Sequence, residues 1–121
     1  KRREKANSSE VMNIIGDVRD KRVILFDDMV DTAGSLCGAA RALMEIGGAK
    51  EIYACATHGV LSGPAIERIT ESYLKELVLL DTIPYPYDTP CEKIKYISVA
   101  SFFAEAIERI YEEVSISSLF N

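Results

Sequence analysis

Apolar residues in this chain fall into short unbroken runs separated by stretches of helical spacing. The clearest run, Val23-Ile24-Leu25-Phe26, has no polar alternation and reads as a strand buried on both faces of a parallel sheet. From Gly34 the period changes. Leu36, Ala39, Ala40, Leu43 and Met44 share one helical face, and Gly47-Gly48 supplies a C-cap. Ile52 to Ala56 is the next buried strand. Ser62 is placed to cap a short helix with Pro64 in its first turn and Ile66 and Ile69 inward. Leu77 to Leu80 is a third strand. Pro84, Pro86 and Pro90 then exclude regular structure between Ile83 and Glu92. Ile94 to Val99 is a fourth strand, and a last helix runs from about Ser101 to Glu113 with Phe103, Ala106, Ile107 and Ile110 as its buried stripe. At the start, Lys1 to Ser9 is polar and aperiodic, which predicts a mobile loop. Val11 to Ile15 suits a short strand that returns to Val23 through turn residues Gly16-Asp17 and Arg19-Asp20.

Strands alternating with helices predict an α/β fold: a wound, mostly parallel sheet flanked by helices on both faces. Right-handed crossovers bring the carboxyl ends of the strands to one edge. That edge collects Asp27 to Ser35, Thr57 to Ser62 and Asp81 to Pro84, the place where open α/β sheets bind ligands. No internal repeat, low-complexity tract or second domain boundary interrupts residues 1–121. The chain opens inside a charged run without Met, which reads as a piece of a longer polypeptide.

Composition narrows the classes. The chain is 48% hydrophobic and 27% charged, as globular domains are, and its net charge of -5 argues against a nucleic-acid binder. Lys1, Arg2, Arg3 and Lys5 nevertheless leave room for a local anion site. No apolar run approaches the ~20 residues of a membrane helix, and no secretory signal pattern is present. Cys37, Cys55 and Cys91 are odd in number and scattered, which suits reduced thiols in a cytoplasm better than a disulfide frame or a zinc site.

The chemistry-bearing stretch is Asp27-Asp28-Met29-Val30-Asp31-Thr32-Ala33-Gly34-Ser35. Thr32 to Ser35 offers small residues, hydroxyls and backbone N–H groups at a helix start, which suits a phosphate. Carboxylates beside a bare phosphate would repel it, so they must act on something else. They can accept hydrogen bonds from sugar hydroxyls or hold a divalent cation. A phosphorylated sugar satisfies both halves of the stretch. Asp31 cannot grip phosphate with its carboxylate, so its backbone N–H or a loop-ordering role is expected. His58, the single histidine, has no partner at ligand spacing and reads as a hydrogen-bonded residue at a strand end.

The acidic loop resembles the phosphoribosyl-pyrophosphate loop of type I phosphoribosyltransferases and ribose-phosphate pyrophosphokinases. Lys1-Arg2-Arg3, Val11 to Gly16, Ala56-Thr57-His58-Gly59, Leu61 to Ala65, Asp81 to Pro84 and Ser115 to Phe120 resemble the pyrophosphokinases in order and spacing. The resemblance implies a phosphoribosyltransferase-like domain, the carboxyl-terminal half of a synthetase whose amino-terminal half carries the adenine-binding and metal-contacting residues. It implies transfer of diphosphate from ATP to ribose 5-phosphate, with Mg²⁺ accompanying ATP and no metal ligand in these residues. Asp27 and Asp28 would hold ribose hydroxyls, while Asp31, Thr32, Ala33, Gly34 and Ser35 would wrap the 5-phosphate. Lys1 and Arg3, in residues 1–9, match a flexible catalytic loop. Ser115, Ser117 and Phe120 match an allosteric site for phosphate or ADP between subunits, and the family forms homo-oligomers. Alone, residues 1–121 are expected to be inactive and to expose apolar surface where the other half would sit.

Two rivals share parts of this pattern. A nucleobase phosphoribosyltransferase would carry the acidic loop together with a base-binding hood, and no such element is visible. A non-catalytic, synthetase-associated regulatory subunit would keep the fold but tends to lose the loop, which here is intact.

Overall fold

The computed structural model describes residues 16–112. Four strands, β1 (Arg22–Val30), β2 (Glu51–Gly59), β3 (Leu74–Leu80) and β4 (Ile94–Ile97), form one parallel sheet in the order β1-β2-β3-β4. Helices α1 (Gly34–Glu45) and α2 (Ala65–Glu71) connect the first three strands, and α3 (Ala100–Tyr111) follows the fourth. The α/β class and the parallel sheet with flanking helices agree with the sequence reading, while among the described residues α1 and α2 cover one face of the sheet and not both. The Val11 to Ile15 strand and the loop from Lys1 to Ser9 lie outside the described residues.

With consecutive strands adjacent, right-handed crossovers deliver successive helices to the same side of the sheet. The core sits there. Ile52, Ala54, Ala56, Leu74, Leu77 and Leu79 pack with Leu36 and Ala40 of α1 and Ala65 and Ile69 of α2. Small alanines on β2 and α1 let helix and sheet approach closely, while the leucines of β3 fill the remaining volume. Helix α1 ends where the Gly-Gly pair predicts. The Gly47 N–H donates to Ala42 O at 3.1 Å, and Gly48 takes a left-handed φ of 72°.

Three expectations need correction. The run at residues 23–26 is not buried on both faces. Val23 and Leu25 pack against the core, but Ile24 is 54% and Phe26 78% exposed on the opposite face. The apolar run correctly marks two apolar faces, yet the described residues supply a layer for one only. The α3 stripe shows the same divergence: Phe103, Ile107 and Ile110 are exposed, and the helix has no buried residue. Ser62 does not cap α2. Pro64 occupies the N-cap position, and the Ser62 hydroxyl is engaged elsewhere.

Candidate functional site

Strand β1 runs further than the apolar pattern suggests, so Asp27 and Asp28 fall inside its last four residues. In register, Asp27 lies opposite Ala56 of β2. Strand alternation turns Asp27 to the face of Leu25 and Asp28 to that of Phe26. Asp27 therefore lines an open cleft of ≈ 180 Å³ at the carboxyl end of the strand, together with Met29, Asp31 and the segment from Thr32 to Leu36. Asp28 is exposed and does not line that cleft. Its N–H donates to the Asp27 carboxylate at 2.8 Å, which leaves the other Asp27 oxygen for a ligand.

The turn between β1 and α1 is built around Ala33, which is 4% exposed and held at φ 69°. A left-handed residue flanking a helix start turns successive N–H groups into one concavity, a geometry that receives anions. Among the described residues, no protein acceptor takes the N–H of Thr32, Ala33, Gly34 or Ser35. The first bond across the helix start is Cys37 N–H to Ala33 O at 3.0 Å. Unsatisfied amides and the helix dipole thus converge on the cleft.

Asp31, at the edge of the cleft, is engaged by the neighbouring loop. Its carboxylate accepts the Ser62 hydroxyl, and its carbonyl accepts the Ser62 N–H at 2.9 Å. The Val60 and Leu61 N–H groups both donate to Val30 O, at 2.9 and 3.1 Å. The β2–α2 loop is thereby fastened along the β1–α1 loop. It is fastened in turn from the β3–β4 loop, where the Tyr87 hydroxyl donates to Leu61 O. His58 is a half-buried neighbour on the same edge. Its Nδ1 lies 2.7 Å from Thr82 Oγ1, whose single proton goes to Thr57 O at 3.2 Å. With that proton so placed, His58 donates to Thr82 from Nδ1.

The sequence reading missed two participants, Ser62 as a loop partner and Arg68. Arg68 Nη1 donates to Thr32 O at 3.2 Å. No local signal marks that contact, because it joins residues far apart in sequence and appears only when α2 is laid beside α1. Lys1, Arg3, Ser115, Ser117 and Phe120 lie outside the described residues. Among the described residues no three metal-ligating side chains gather. One oxygen of Asp27 is held by the Asp28 N–H and one of Asp31 by the Ser62 hydroxyl, so each of these two residues would offer a cation its other carboxylate oxygen.

The model of the phosphoribosyl synthetase-associated domain matches residues 3–121. The chain belongs to that family. It is 64% identical over 120 residues to a ribose-phosphate pyrophosphokinase of Caldanaerobacter subterraneus, covering 99% of this chain and 38% of the relative. A ribose-phosphate pyrophosphokinase of Clostridium acetobutylicum is 62% identical over 120 residues, covering 99% of this chain and 37% of the relative. The crystal structure of a phosphoribosylpyrophosphate synthetase from Mycobacterium smegmatis aligns with a TM-score of 0.78 and 39% identity, covering 82% of this chain and 33% of that one. This family member thus spans little more than a third of the length of the curated relatives it matches. The matches carry the family and the fold, and give no support to the carboxyl-terminal placement expected from the sequence.

Proposed function

We propose that these residues form the ribose 5-phosphate-binding part of a ribose-phosphate pyrophosphokinase. The observation that carries this reading is the pairing, in one cleft, of the unbonded amides from Thr32 to Ser35 with the Asp27 carboxylate. The amides receive the 5-phosphate, and Asp27 accepts hydrogen bonds from ribose hydroxyls, its carboxylate held in place by the Asp28 N–H. The Thr32 and Ser35 hydroxyls add donors at the phosphate. Holding the sugar by both ends fixes its 1-hydroxyl for attack on ATP, so orientation supplies much of the rate gain. Diphosphate passes to that hydroxyl, giving phosphoribosyl pyrophosphate and AMP. Lys1 and Arg3 neutralise charge on the moving phosphoryl oxygens. Mg²⁺ accompanying ATP would offset negative charge on the phosphates, and none of the described residues is assigned to hold it. Ser115, Ser117 and Phe120 belong to the proposed subunit-interface effector site of a cytoplasmic homo-oligomer.

The names of the relatives and the intact loop favour this reading over a nucleobase phosphoribosyltransferase and over a regulatory subunit. The test is a calorimetric titration of the full-length protein with ribose 5-phosphate, together with an assay of AMP release from ATP. Asp27→Asn is expected to raise the KM for ribose 5-phosphate by about tenfold or more, the cost of a hydrogen bond to a charged group. Pyrophosphate release with nucleobases, in place of AMP release, would assign the transferase instead. Absence of ribose 5-phosphate binding would favour the regulatory subunit.

A further inference from the structure

Arg68 is an exposed residue on α2, yet its side chain is tied to a backbone carbonyl of the neighbouring loop. Its Nη1 donates to Thr32 O at 3.2 Å, and a Cβ added at Gly34 would stand 3.1 Å from the same nitrogen. The guanidinium therefore lies directly against the Thr32-Ala33-Gly34 turn, in space that any side chain at position 34 would take. From the same loop-and-helix unit, the Ser62 hydroxyl and amide hold the side chain and carbonyl of Asp31. Two consecutive residues of the β1–α1 loop thus have their carbonyls tied to the β2–α2 unit. The N–H groups that follow are left with no protein partner.

We infer that Arg68 and Ser62 are positioning residues that fix the β1–α1 loop with its amides facing the cleft, so that the anion is bound without reordering the loop. The inference rests on the reading that this loop receives the phosphate of ribose 5-phosphate. Fixing a carbonyl fixes the peptide plane, and the N–H of the next residue points opposite to that carbonyl. Arg68 at Thr32 O thereby aims the Ala33 amide, while the Ser62 N–H at Asp31 O aims the Thr32 amide and the Ser62 hydroxyl, the group that Ser62→Ala removes, secures this bond by holding the Asp31 side chain. Ala33, directly after these two residues, holds an uncommon left-handed conformation, which persists only where the surroundings over-determine it. Pre-ordering of this kind improves affinity by removing the ordering cost from the binding step.

The experiment compares wild type with Arg68→Met, Arg68→Lys, Ser62→Ala and the Arg68→Met/Ser62→Ala double variant in the full-length protein. Ribose 5-phosphate affinity is measured by calorimetry, KM and kcat by AMP release, and the fold by thermal melting. Arg68→Met is expected to weaken ribose 5-phosphate binding about tenfold while the KM for ATP stays within about twofold of wild type. Arg68→Lys, which keeps a donor, should recover part of the loss. The double variant should lose less than the product of the two single losses, because both residues order one loop. Wild-type binding of ribose 5-phosphate with unchanged affinity in folded Arg68→Met and Ser62→Ala would overturn the positioning roles and leave the functional reading standing. A parallel loss of ATP and sugar affinity would likewise overturn them. A wild type that does not bind ribose 5-phosphate would overturn the functional reading and this inference with it.

Discussion

Ala33 concentrates the local demands of the site. It is 4% exposed, has φ 69°, and its carbonyl accepts the first bond across the helix start. A small side chain tolerates the left-handed region at a cost of about 1–2 kcal/mol, whereas a β-branched one is a genuine outlier there. Ala33→Val should therefore lower the thermal midpoint and weaken ribose 5-phosphate binding together, as melting and calorimetry on one preparation can show. A variant that loses stability but keeps full affinity would separate the turn's conformation from its proposed role in binding. Part of this scale is legible in the sequence. A carboxylate at position 31 cannot face a phosphate, and in the structure it faces Ser62 instead. The left-handed conformation of Ala33 is not legible, because alanine carries no preference for it. Nor is Arg68, whose contact depends on how two helices lie side by side.

At the scale of elements, periodicity and turn residues place the four described strands and three helices, but they do not say what covers each face. Val23 to Phe26 and the α3 stripe are apolar because they are made to be covered, and the covering is missing among the described residues. What binds β1 to its neighbours is partly electrostatic. Glu51 at the start of β2 accepts Lys75 Nζ from β3 at 2.8 Å and Arg22 Nε from β1 at 2.7 Å. The hydrogen bond from Lys75, and next that from Arg22, hold its carboxyl down to about 2 from an ordinary 4.5. A carboxyl lowered in the folded state stabilises above its ordinary value, and that contribution fades as pH falls towards the lowered one. Wild type and Glu51→Gln should thus differ by a constant urea midpoint above pH 4.5, with the difference closing between 4.5 and about 2. The difference is expected to be small, since Arg22 and Lys75 are well exposed. A gap that widens on acidification would contradict the assignment.

Among the described residues, the helix-covered face of the sheet is closed by a continuous core, and the other face is open at Ile24, Phe26 and Ile97. Exposed apolar residues gathered on one sheet face mark a surface that associates. The 121-residue protein by itself should bind a hydrophobic dye and self-associate as concentration rises, and Phe26→Lys should reduce both. Equal dye binding in that variant would place the sticky surface elsewhere. The proposed site lies at the carboxyl edge of the sheet, where three connecting loops are fastened together by Asp31, Ser62, Leu61 and Tyr87. One measurement tests the claim that this edge grips a phosphorylated pentose: hydrogen exchange of the full-length protein with and without ribose 5-phosphate. Amides in residues 31–36, which lack protein acceptors from Thr32 to Ser35, are expected to gain strong protection on binding. Saturable binding that leaves those amides exchanging as before would contradict the claim.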